Sequence, residues 1–292
     1  MYKQIAENKR KTVFIIIGFI LMISVIAGIF AYCYNDPWIA VWTVVISAAY
    51  AVFQYFYASS LAVAMTGARE IKKKDHPRLY NIVENLSITT GLPMPKVYIV
   101  EDKAPNAFAS GRDPQHALVA ATTGLLDIMD DKELTAVMAH EMSHVKNYDI
   151  RVSMIVFGLV CMVGLISDLA FRMVFYGDRR RNNEGSPVGY VLILFAAIFS
   201  PIVAAIAQMA VSRQREYLAD ASAVNITRYP EGMIAALKKL QTHSQPMHSQ
   251  NIAAESMYIN NPLRKGFFSN LLSSHPPIEK RIERLEHGKK TF

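Results

Sequence analysis

Residues 140–144, with the sequence HEMSH, have the residue types and the spacing of a metal site on a helix. One helical turn takes about 3.6 residues, so His140 and His144 project from the same face and can both reach one tetrahedral ion. Glu141 lies beside the first histidine, where a carboxylate can take a proton from a water at the metal without being a ligand. The motif therefore predicts hydrolytic zinc chemistry with Glu141 as general base.

The alternative interpretation of this motif is a solvated helix that carries two histidines and a glutamate. The apolar residues around the motif argue against it, because they predict a largely buried helix: Leu134, Val137, Met138, Met142 and Val145. Two adjacent buried histidines without partners would be costly. The pattern therefore favours a metal, and we expect one zinc ion per chain.

A catalytic zinc ion needs a third protein ligand and leaves a fourth position open for water. Candidates for the third ligand lie in residues 212–220 (SRQREYLAD), where Glu216 and Asp220 are four apart and share a helix face. One of the two can ligate zinc, and the other can accept a hydrogen bond from a ligand histidine and fix its tautomer. Taken alone, the segment also fits a solvated, charged helix end.

The composition indicates a membrane protein. Apolar residues make up 52% of the 292 residues and charged residues only 19%, less charge than soluble domains usually carry. Four apolar runs account for the excess, at 13–34, 38–65, 152–167 and 187–212. We interpret the first two as a retained transmembrane hairpin, because the first run is too long for a signal peptide and a second span follows almost at once.

Flanking charge predicts the orientation of the first hairpin. Basic residues precede it and follow it: Lys3, Lys9, Arg10 and Lys11, then Arg69, Lys72, Lys73 and Lys74. The positive-inside rule therefore places both flanks, and the catalytic part, on the cytoplasmic side of the cell membrane. These flanks account for the net charge of +7 better than nucleic-acid binding does, since no nucleic-acid motif accompanies them. Three arginines at 179–181 lie in the turn of the 152–212 hairpin, which would be on the outer side if that hairpin spans the membrane. They conflict with the rule, so whether this hairpin fully spans the membrane stays open.

The rest of the chain divides into two parts of one catalytic domain. We expect an N-terminal hairpin (1–65), a first catalytic part (66–151), a second hairpin (152–212) and a second catalytic part (213–292). The first part predicts a helix from Pro77, three short strands at 96–101, 106–110 and 116–121, and a second helix near Asp130. Asp130 and Glu133 make a capping box for that helix, which carries HEMSH. The predicted fold class is a mainly α-helical multi-pass membrane protein with a small β-sheet.

HEMSH, followed after a long insertion by EYLAD at 216–220, resembles the M48 family of membrane metalloproteases, and in particular its bacterial heat-shock members. The likeness covers nearly the whole chain, from the N-terminal hairpin to the glutamate helix. It implies a gluzincin-type catalytic domain in which the downstream glutamate, here Glu216, is the third zinc ligand. It also implies that the aspartate one turn later, Asp220, supports a ligand rather than binding the metal.

Residues 106–109 (NAFA) resemble the edge-strand motif of the same family, which gives Asn106, Ala107 and Phe108 as substrate-binding candidates. An exposed edge strand can pair with a peptide by strand addition, and Asn106 would then bind the substrate backbone. The alternative is an ordinary junction between a loop and a strand.

His275, in the segment SHPP, is a further candidate catalytic residue, and this assignment depends on the resemblance. The resemblance places it near the oxyanion, where a hydrogen-bond donor stabilises developing charge. The alternative is a helix-entry residue before Pro276. The polar stretch 242–261 is a candidate lid over the site.

We therefore expect a membrane-bound zinc metalloendopeptidase that hydrolyses peptide bonds of membrane or misfolded proteins, as in quality control. One alternative is a CAAX-type prenyl-protein protease, disfavoured because those enzymes have more membrane segments than the two hairpins seen here. The other is a membrane scaffold or chaperone with a structural or inactive zinc site, disfavoured because such sites are usually rich in cysteine and neither cysteine lies near the motif. No pattern indicates the cleavage specificity or the oligomeric state.

Overall fold

The computed structural model describes residues 2–159, 161, 213–248, 257–260 and 276–288. The chain begins with two long helices, α1 (Tyr2–Tyr34) and α2 (Pro37–Thr66), which pack against each other. Asp36 caps α2 by accepting a hydrogen bond from the Trp38 backbone N–H at 3.0 Å. Gly67 ends the helix in the left-handed conformation at φ 66°, which glycine adopts without strain. Residues 2–66 therefore form a helical hairpin.

Large exposed apolar side chains concentrate on this hairpin. They include Phe14, Ile17, Leu21, Trp42, Ile46 and Phe53. Water-soluble surfaces rarely carry so large an apolar patch, which is typical of contact with lipid or with another protein. Within the described residues, one stretch, Val44–Thr66, is long and apolar enough to cross a membrane.

A four-stranded mixed sheet follows the hairpin. Its strands are β1 (Arg69–Glu70), β2 (Lys96–Val100), β3 (Ala107–Gly111) and β4 (Ala117–Thr122), in the spatial order β1-β2-β4-β3. β4 pairs in parallel with β2 and antiparallel with β3, so β3 lies at the edge of the sheet. The three strands predicted from the sequence are confirmed to within one residue at each end.

Both faces of this sheet are buried, and they contact different parts of the protein. Side chains such as Val97, Ile99 and Val119 join the core formed with the catalytic helices. Their neighbours on the other face, including Phe108 and Leu118, join a second core that contains Ala62 of α2 and Phe157. Burial on both faces explains why these strands are almost continuously apolar.

The helix that carries HEMSH lies at the centre of the helices that follow the hairpin. The helices of the first part are α3 (Pro77–Thr90), α4 (Thr123–Ile128), α5 (Asp131–Lys146) and α6 (149–159). α5 begins with the predicted capping box: Asp130 accepts from the Glu133 N–H, and the Glu133 side chain accepts from the Asp130 N–H. The second part supplies α7 (Arg213–Thr227), α8 (Pro230–Thr242) and α9 (Ile278–Gly288). α7 and α8 pack on α5, and α9 packs on both of them.

The start of the third apolar run packs against the N-terminal hairpin. Gln54 of α2 is buried and donates a hydrogen bond to the Met154 carbonyl of α6 at 3.1 Å. A Cβ at Gly158 would overlap the Gln54 side chain, so this glycine allows the close approach. The rest of the predicted second hairpin, including the fourth run, lies outside the described residues. The mainly helical fold with a small mixed sheet is confirmed for the residues described.

Candidate active site

Three predicted metal ligands, distant in sequence, meet in one buried cluster. His140 and His144 come from α5 and Glu216 from the first turn of α7, and their ligand atoms all lie within 4.8 Å of one another. The two Nε2 atoms are 3.2 Å apart. The Glu216 carboxylate lies 3.7 Å from the His140 Nε2 and 3.5 Å from the His144 Nε2. The fold therefore brings together two imidazole nitrogens and a carboxylate at one point.

A buried aspartate and a buried arginine hold His140. Its Nδ1 lies 3.0 Å from the Asp220 carboxylate, one helical turn after Glu216. Arg281 of α9 donates to both oxygens of Asp220, from Nε at 2.9 Å and from Nη2 at 2.6 Å. Such a bidentate pair fixes the plane of the carboxylate and, through it, the imidazole.

A different aspartate holds His144. Its Nδ1 lies 3.0 Å from the Asp149 carboxylate at the start of α6. The other oxygen of Asp149 accepts from the Asn8 side chain of α1 at 2.7 Å and from Arg215 of α7 at 3.3 Å. The second histidine is thus connected to the N-terminal hairpin.

The charges around the cluster favour a cation. Burial lowers the pKa of His140, but hydrogen bonds to the Asp220 and Glu216 carboxylates outweigh it and raise this pKa to about 9. Burial raises the pKa of Asp220, but the Arg281 charge and the hydrogen bond to His140 outweigh it and lower this pKa. The carboxylates around His140 therefore stabilise positive charge on the imidazole, and they would equally stabilise a metal cation bound in place of its proton.

The hydrogen bonds of the two histidines test whether a metal fits. An Nδ1–H that donates to a carboxylate leaves the lone pair on Nε2, and both His140 and His144 have a carboxylate at Nδ1. When both imidazoles are neutral, as metal binding requires, two lone pairs face each other across 3.2 Å, beside the Glu216 carboxylate. A cation between them relieves this repulsion, and two imidazoles with one carboxylate are a donor set that zinc accepts. The residues present fit a metal ion.

Glu141 lies in the buried part of the cluster, with 2% of its surface exposed. It follows His140 in α5. Burial lowers the pKa of the Arg281 guanidinium, but the surrounding carboxylates, with Asp220 the largest contributor and Glu141 among them, outweigh it and raise the pKa. Arg281 therefore stays charged, next to the carboxylates of Asp220 and Glu216.

The predicted edge strand is at the edge of the sheet, but the expectation that it is exposed is wrong. Asn106, Ala107 and Phe108 are all buried, because residues 257–260 of the same chain lie along β3. Asn106 accepts from the Asn260 backbone N–H at 3.1 Å and donates to the Asn260 carbonyl at 2.8 Å. The Ile259 N–H donates to the Ala107 carbonyl at 3.0 Å.

One predicted site residue, His275, lies outside the described residues, as does the middle of the predicted lid at 242–261. Conversely, three site residues were not predicted: Arg281, Asp149 and Asn8. Arg281 had a signal, since it lies between Ile278, Ile282 and Leu285 on the apolar stripe of its helix, where a charge requires a buried partner. Asp149 and Asn8 had no comparable local pattern.

Comparisons with known proteins extend this picture. The family model described as Peptidase family M48 matches residues 73–289. A protein named Protease HtpX homolog from Tropheryma whipplei (strain Twist) is 53% identical, over 98% of this chain and 98% of its own. Another protein with that name, from Streptococcus uberis, is 43% identical over 98% of this chain and 99% of its own. The crystal structure of S. mikatae Ste24p has a TM-score of 0.53 at 20% identity, covers 98% of this chain and 66% of that one, and shows a similar fold.

The family match includes both parts of the metal cluster, from the HEMSH helix to Glu216 and on to Arg281. The similarity to the bacterial relatives extends over nearly the whole chain, including the N-terminal hairpin. The resemblance inferred from HEMSH and EYLAD is therefore confirmed. The chain belongs to peptidase family M48 and is a metallopeptidase.

Proposed function

We propose that this protein is a zinc endopeptidase that cleaves membrane or misfolded proteins at the cytoplasmic face of the cell membrane. The observation that supports the proposal best is the buried meeting point of His140, His144 and Glu216. Three protein ligands of this kind leave a fourth position for water or substrate, as catalytic zinc sites do and closed structural sites do not. The relatives named Protease HtpX homolog support a protease.

In the proposed mechanism, this chain's residues supply the proton transfers and the orientation. His140, His144 and Glu216 would hold the zinc ion, which would supply Lewis-acid activation of a water and of the scissile carbonyl. Glu141 takes a proton from the attacking water and later delivers it to the leaving amine. Its burial keeps the transfer away from bulk solvent. Asp220 and Asp149 keep the two imidazoles oriented, so that no ligand has to rotate during the reaction.

We propose that Asn106, Ala107 and Phe108 bind the substrate backbone. Asn106 already contacts both the N–H and the carbonyl of one residue, Asn260, and this pattern requires no particular side chain on the bound peptide. A substrate strand paired with β3 would receive the same two bonds. His275 is the proposed hydrogen-bond donor to the oxyanion.

The membrane part of the proposal includes several spans. The exposed apolar side chains of α1 and α2, with the candidate span Val44–Thr66, support insertion of the 1–65 hairpin. We propose that 152–212 forms a second hairpin and that 66–151 and 213–292 form the two catalytic parts. The site then lies next to the membrane, because Asn8 of α1 contacts the residues around His144.

The first test is the substitution Glu141→Gln in the full-length protein in detergent, with a membrane protein as substrate. We expect kcat to fall by about 10²–10⁴-fold, the usual contribution of general acid–base catalysis, with the zinc content unchanged. Undiminished hydrolysis would reject Glu141 as the base. A prenylated CAAX peptide, assayed in parallel, separates the endopeptidase from a prenyl-protein protease. Stoichiometric zinc in a wild-type protein without chelator-sensitive proteolysis would support a scaffold instead.

The second test concerns the third ligand. Glu216→Ala should remove zinc from the purified protein, measured by elemental analysis, because two imidazoles alone bind zinc weakly at this kind of site. Glu286→Ala is the matched control, since Glu286 is an exposed glutamate of α9 whose carboxylate contacts Lys238 at 3.0 Å. Full zinc retention in the Glu216 variant would reject this residue as a ligand.

A further inference from the structure

We propose that Asn8, on the first helix of the chain, is a positioning residue of the metal site, acting through Asp149 on His144. This inference rests on the proposed function, because it assigns a support to one of the proposed zinc ligands. Asn8 precedes the first apolar run, and it is 3% exposed on a helix whose neighbouring positions are largely open. A buried amide in such a place needs specific partners.

Both hydrogens of the Asn8 amide are used near the end of α5. One is donated to the Asn147 carbonyl at 2.9 Å and the other to the Asp149 carboxylate at 2.7 Å. Asn147 is the residue that ends α5, immediately after the helix that carries both histidines. Asn8 therefore holds the end of the ligand helix and the carboxylate next to it at the same time.

The two carboxylate oxygens of Asp149 have different partners. Oδ2 faces the His144 Nδ1 at 3.0 Å, whereas Oδ1 accepts from Asn8 and, at the longer distance of 3.3 Å, from Arg215. With Oδ1 fixed, the carboxylate cannot rotate away from the imidazole. Without Asn8, the remaining anchor is the more distant Arg215, and the orientation of His144 becomes less defined.

The test is the zinc affinity of the full-length protein in detergent, measured by competition with a chromophoric chelator. Removing a group that orients a ligand usually weakens metal binding about 10–100-fold, and because Asn8 is one contact further away we expect about 3–10-fold for Asn8→Ala. Asn8→Asp should lower the zinc affinity more than Asn8→Ala does, because a second carboxylate would face Asp149. Arg10→Gln, at an exposed position two residues further along α1, is the control and should leave the affinity unchanged.

A double substitution separates positioning from a general structural role. If Asn8 acts through Asp149, then adding Asn8→Ala to Asp149→Asn should cost no further zinc affinity, whereas independent effects would multiply. Multiplied losses, or an unchanged affinity in Asn8→Ala, would overturn the inference. A lowered thermal midpoint with unchanged affinity would also overturn it, as Asn8 would then only stabilise the fold. A wild-type chain that binds no zinc would overturn the proposed function itself.

An independent observation concerns the edge of β3, and from it we infer that residues 257–260 occupy the place of the substrate. The Tyr258 backbone forms an antiparallel bridge with Phe108, and the Ile259 N–H donates to the Ala107 carbonyl. The outward edge of a strand can pair with only one partner at a time. A peptide that binds to β3, as proposed above, must therefore displace this segment.

The anchor of the 257–260 segment is Tyr258. Its side chain is 2% exposed, and its ring lies at 74° to the Phe108 ring with centroids 5.1 Å apart. Tyr258→Ala should loosen the segment and raise kcat/KM for a peptide several-fold, mainly through a lower KM. Asn106→Ala should lower kcat/KM, because it removes the backbone contacts that any occupant uses.

The outcomes of this experiment are distinct. A Tyr258→Ala protein that retains zinc but shows an equal or lower kcat/KM would overturn the inference, since the segment would then belong permanently to the sheet. Asn260→Pro, which removes the N–H donated to Asn106, is the second variant and should change kcat/KM in the same direction as Tyr258→Ala. An inactive wild type would instead contradict the proposed peptidase reaction.

Discussion

The two histidines of HEMSH are one turn apart on the same helix, yet the protein holds them in different ways. His140 has 1% of its side chain exposed, and its partner Asp220 is paired with the buried Arg281 of α9. His144 has 15% exposed, and its partner Asp149 is held by the neutral amide of Asn8. We call the Asp220–Arg281 pair beside His140 the deep side, because it is a buried ion pair. We call the Asp149–Asn8 pair beside His144 the shallow side; it includes a contact to the N-terminal hairpin.

This difference predicts different consequences when each support is broken. Removing one partner of a buried ion pair leaves an uncompensated charge away from water, which destabilises the whole fold. Removing the neutral amide of Asn8 leaves the buried Asp149 carboxylate with its charged partner Arg215 at 3.3 Å, so no uncompensated charge results. We therefore expect the deep side to control folding and metal binding together, and the shallow side to control metal binding with little effect on folding.

The largest expected effect comes from Arg281→Met. It leaves Asp220 buried without its main partner and should lower the free energy of unfolding by about 3–5 kcal/mol. Thermal unfolding in detergent measures the loss. Arg215→Met, on the shallow side, is the matched control. We expect a smaller shift in its unfolding temperature, because Arg215 contacts Asp149 by a single, longer bond of 3.3 Å. If the two variants unfold at the same temperature, the contrast between the two sides is wrong.

A double substitution sharpens this result. Asp220→Asn combined with Arg281→Met removes both charges, so it should be less destabilised than Arg281→Met alone. If the double variant loses as much unfolding free energy as the two single variants together, the two residues do not act as a pair.

An intermediate effect is expected when the two aspartates are compared. Asp220→Asn and Asp149→Asn should each weaken zinc binding about 10–100-fold, because each removes the acceptor that fixes a ligand imidazole. Only Asp220→Asn should also lower the thermal midpoint strongly, since it removes the bidentate carboxylate partner of the fully buried Arg281. Zinc competition and thermal unfolding of the same samples measure both quantities. Equal loss of stability in the two variants would contradict the comparison.

The smallest effect is expected from Asp130→Ala, at the start of the helix that both histidines share. Loss of an N-cap costs about 1 kcal/mol, so the thermal midpoint should fall slightly. Zinc affinity should not change, because Asp130 lies more than two turns from His140 and its bonds are to Glu133. A loss of zinc affinity here would indicate that helix stability, rather than the two aspartates, orients the histidines.

The local parts of the fold were predictable because their causes lie within a few residues. The capping box of α5, the proline that begins α3 and the apolar strands of the sheet are all short-range patterns, and the structure confirms them. The ligand pair His140 and His144 belongs to the same class, because a spacing of four residues fixes one helix face. The third predicted ligand required the resemblance as well, since Glu216 and Asp220 were equivalent candidates by spacing alone.

The parts that were not predicted depend on contacts between distant segments. Asn8 and Asp149 are 141 positions apart, as are Arg281 and His140. No local pattern pairs such residues, because the choice among possible partners is made by how the helices pack. The covered edge of β3 is a similar case, since the motif predicted a strand edge but not that residues 257–260 would lie on it.

The sequence by itself determined the chemistry of this protein: a helix with two imidazoles and a carboxylate, apolar segments beside it, and membership in a family of metallopeptidases. These follow from residue types and short spacings, which act over one or two turns. The tertiary structure decided which carboxylate orients which histidine, and that α1 and α9 each contribute to one side of the site. It did so because burial forces each charged or polar group to find a partner, and packing alone determines which partner is within reach.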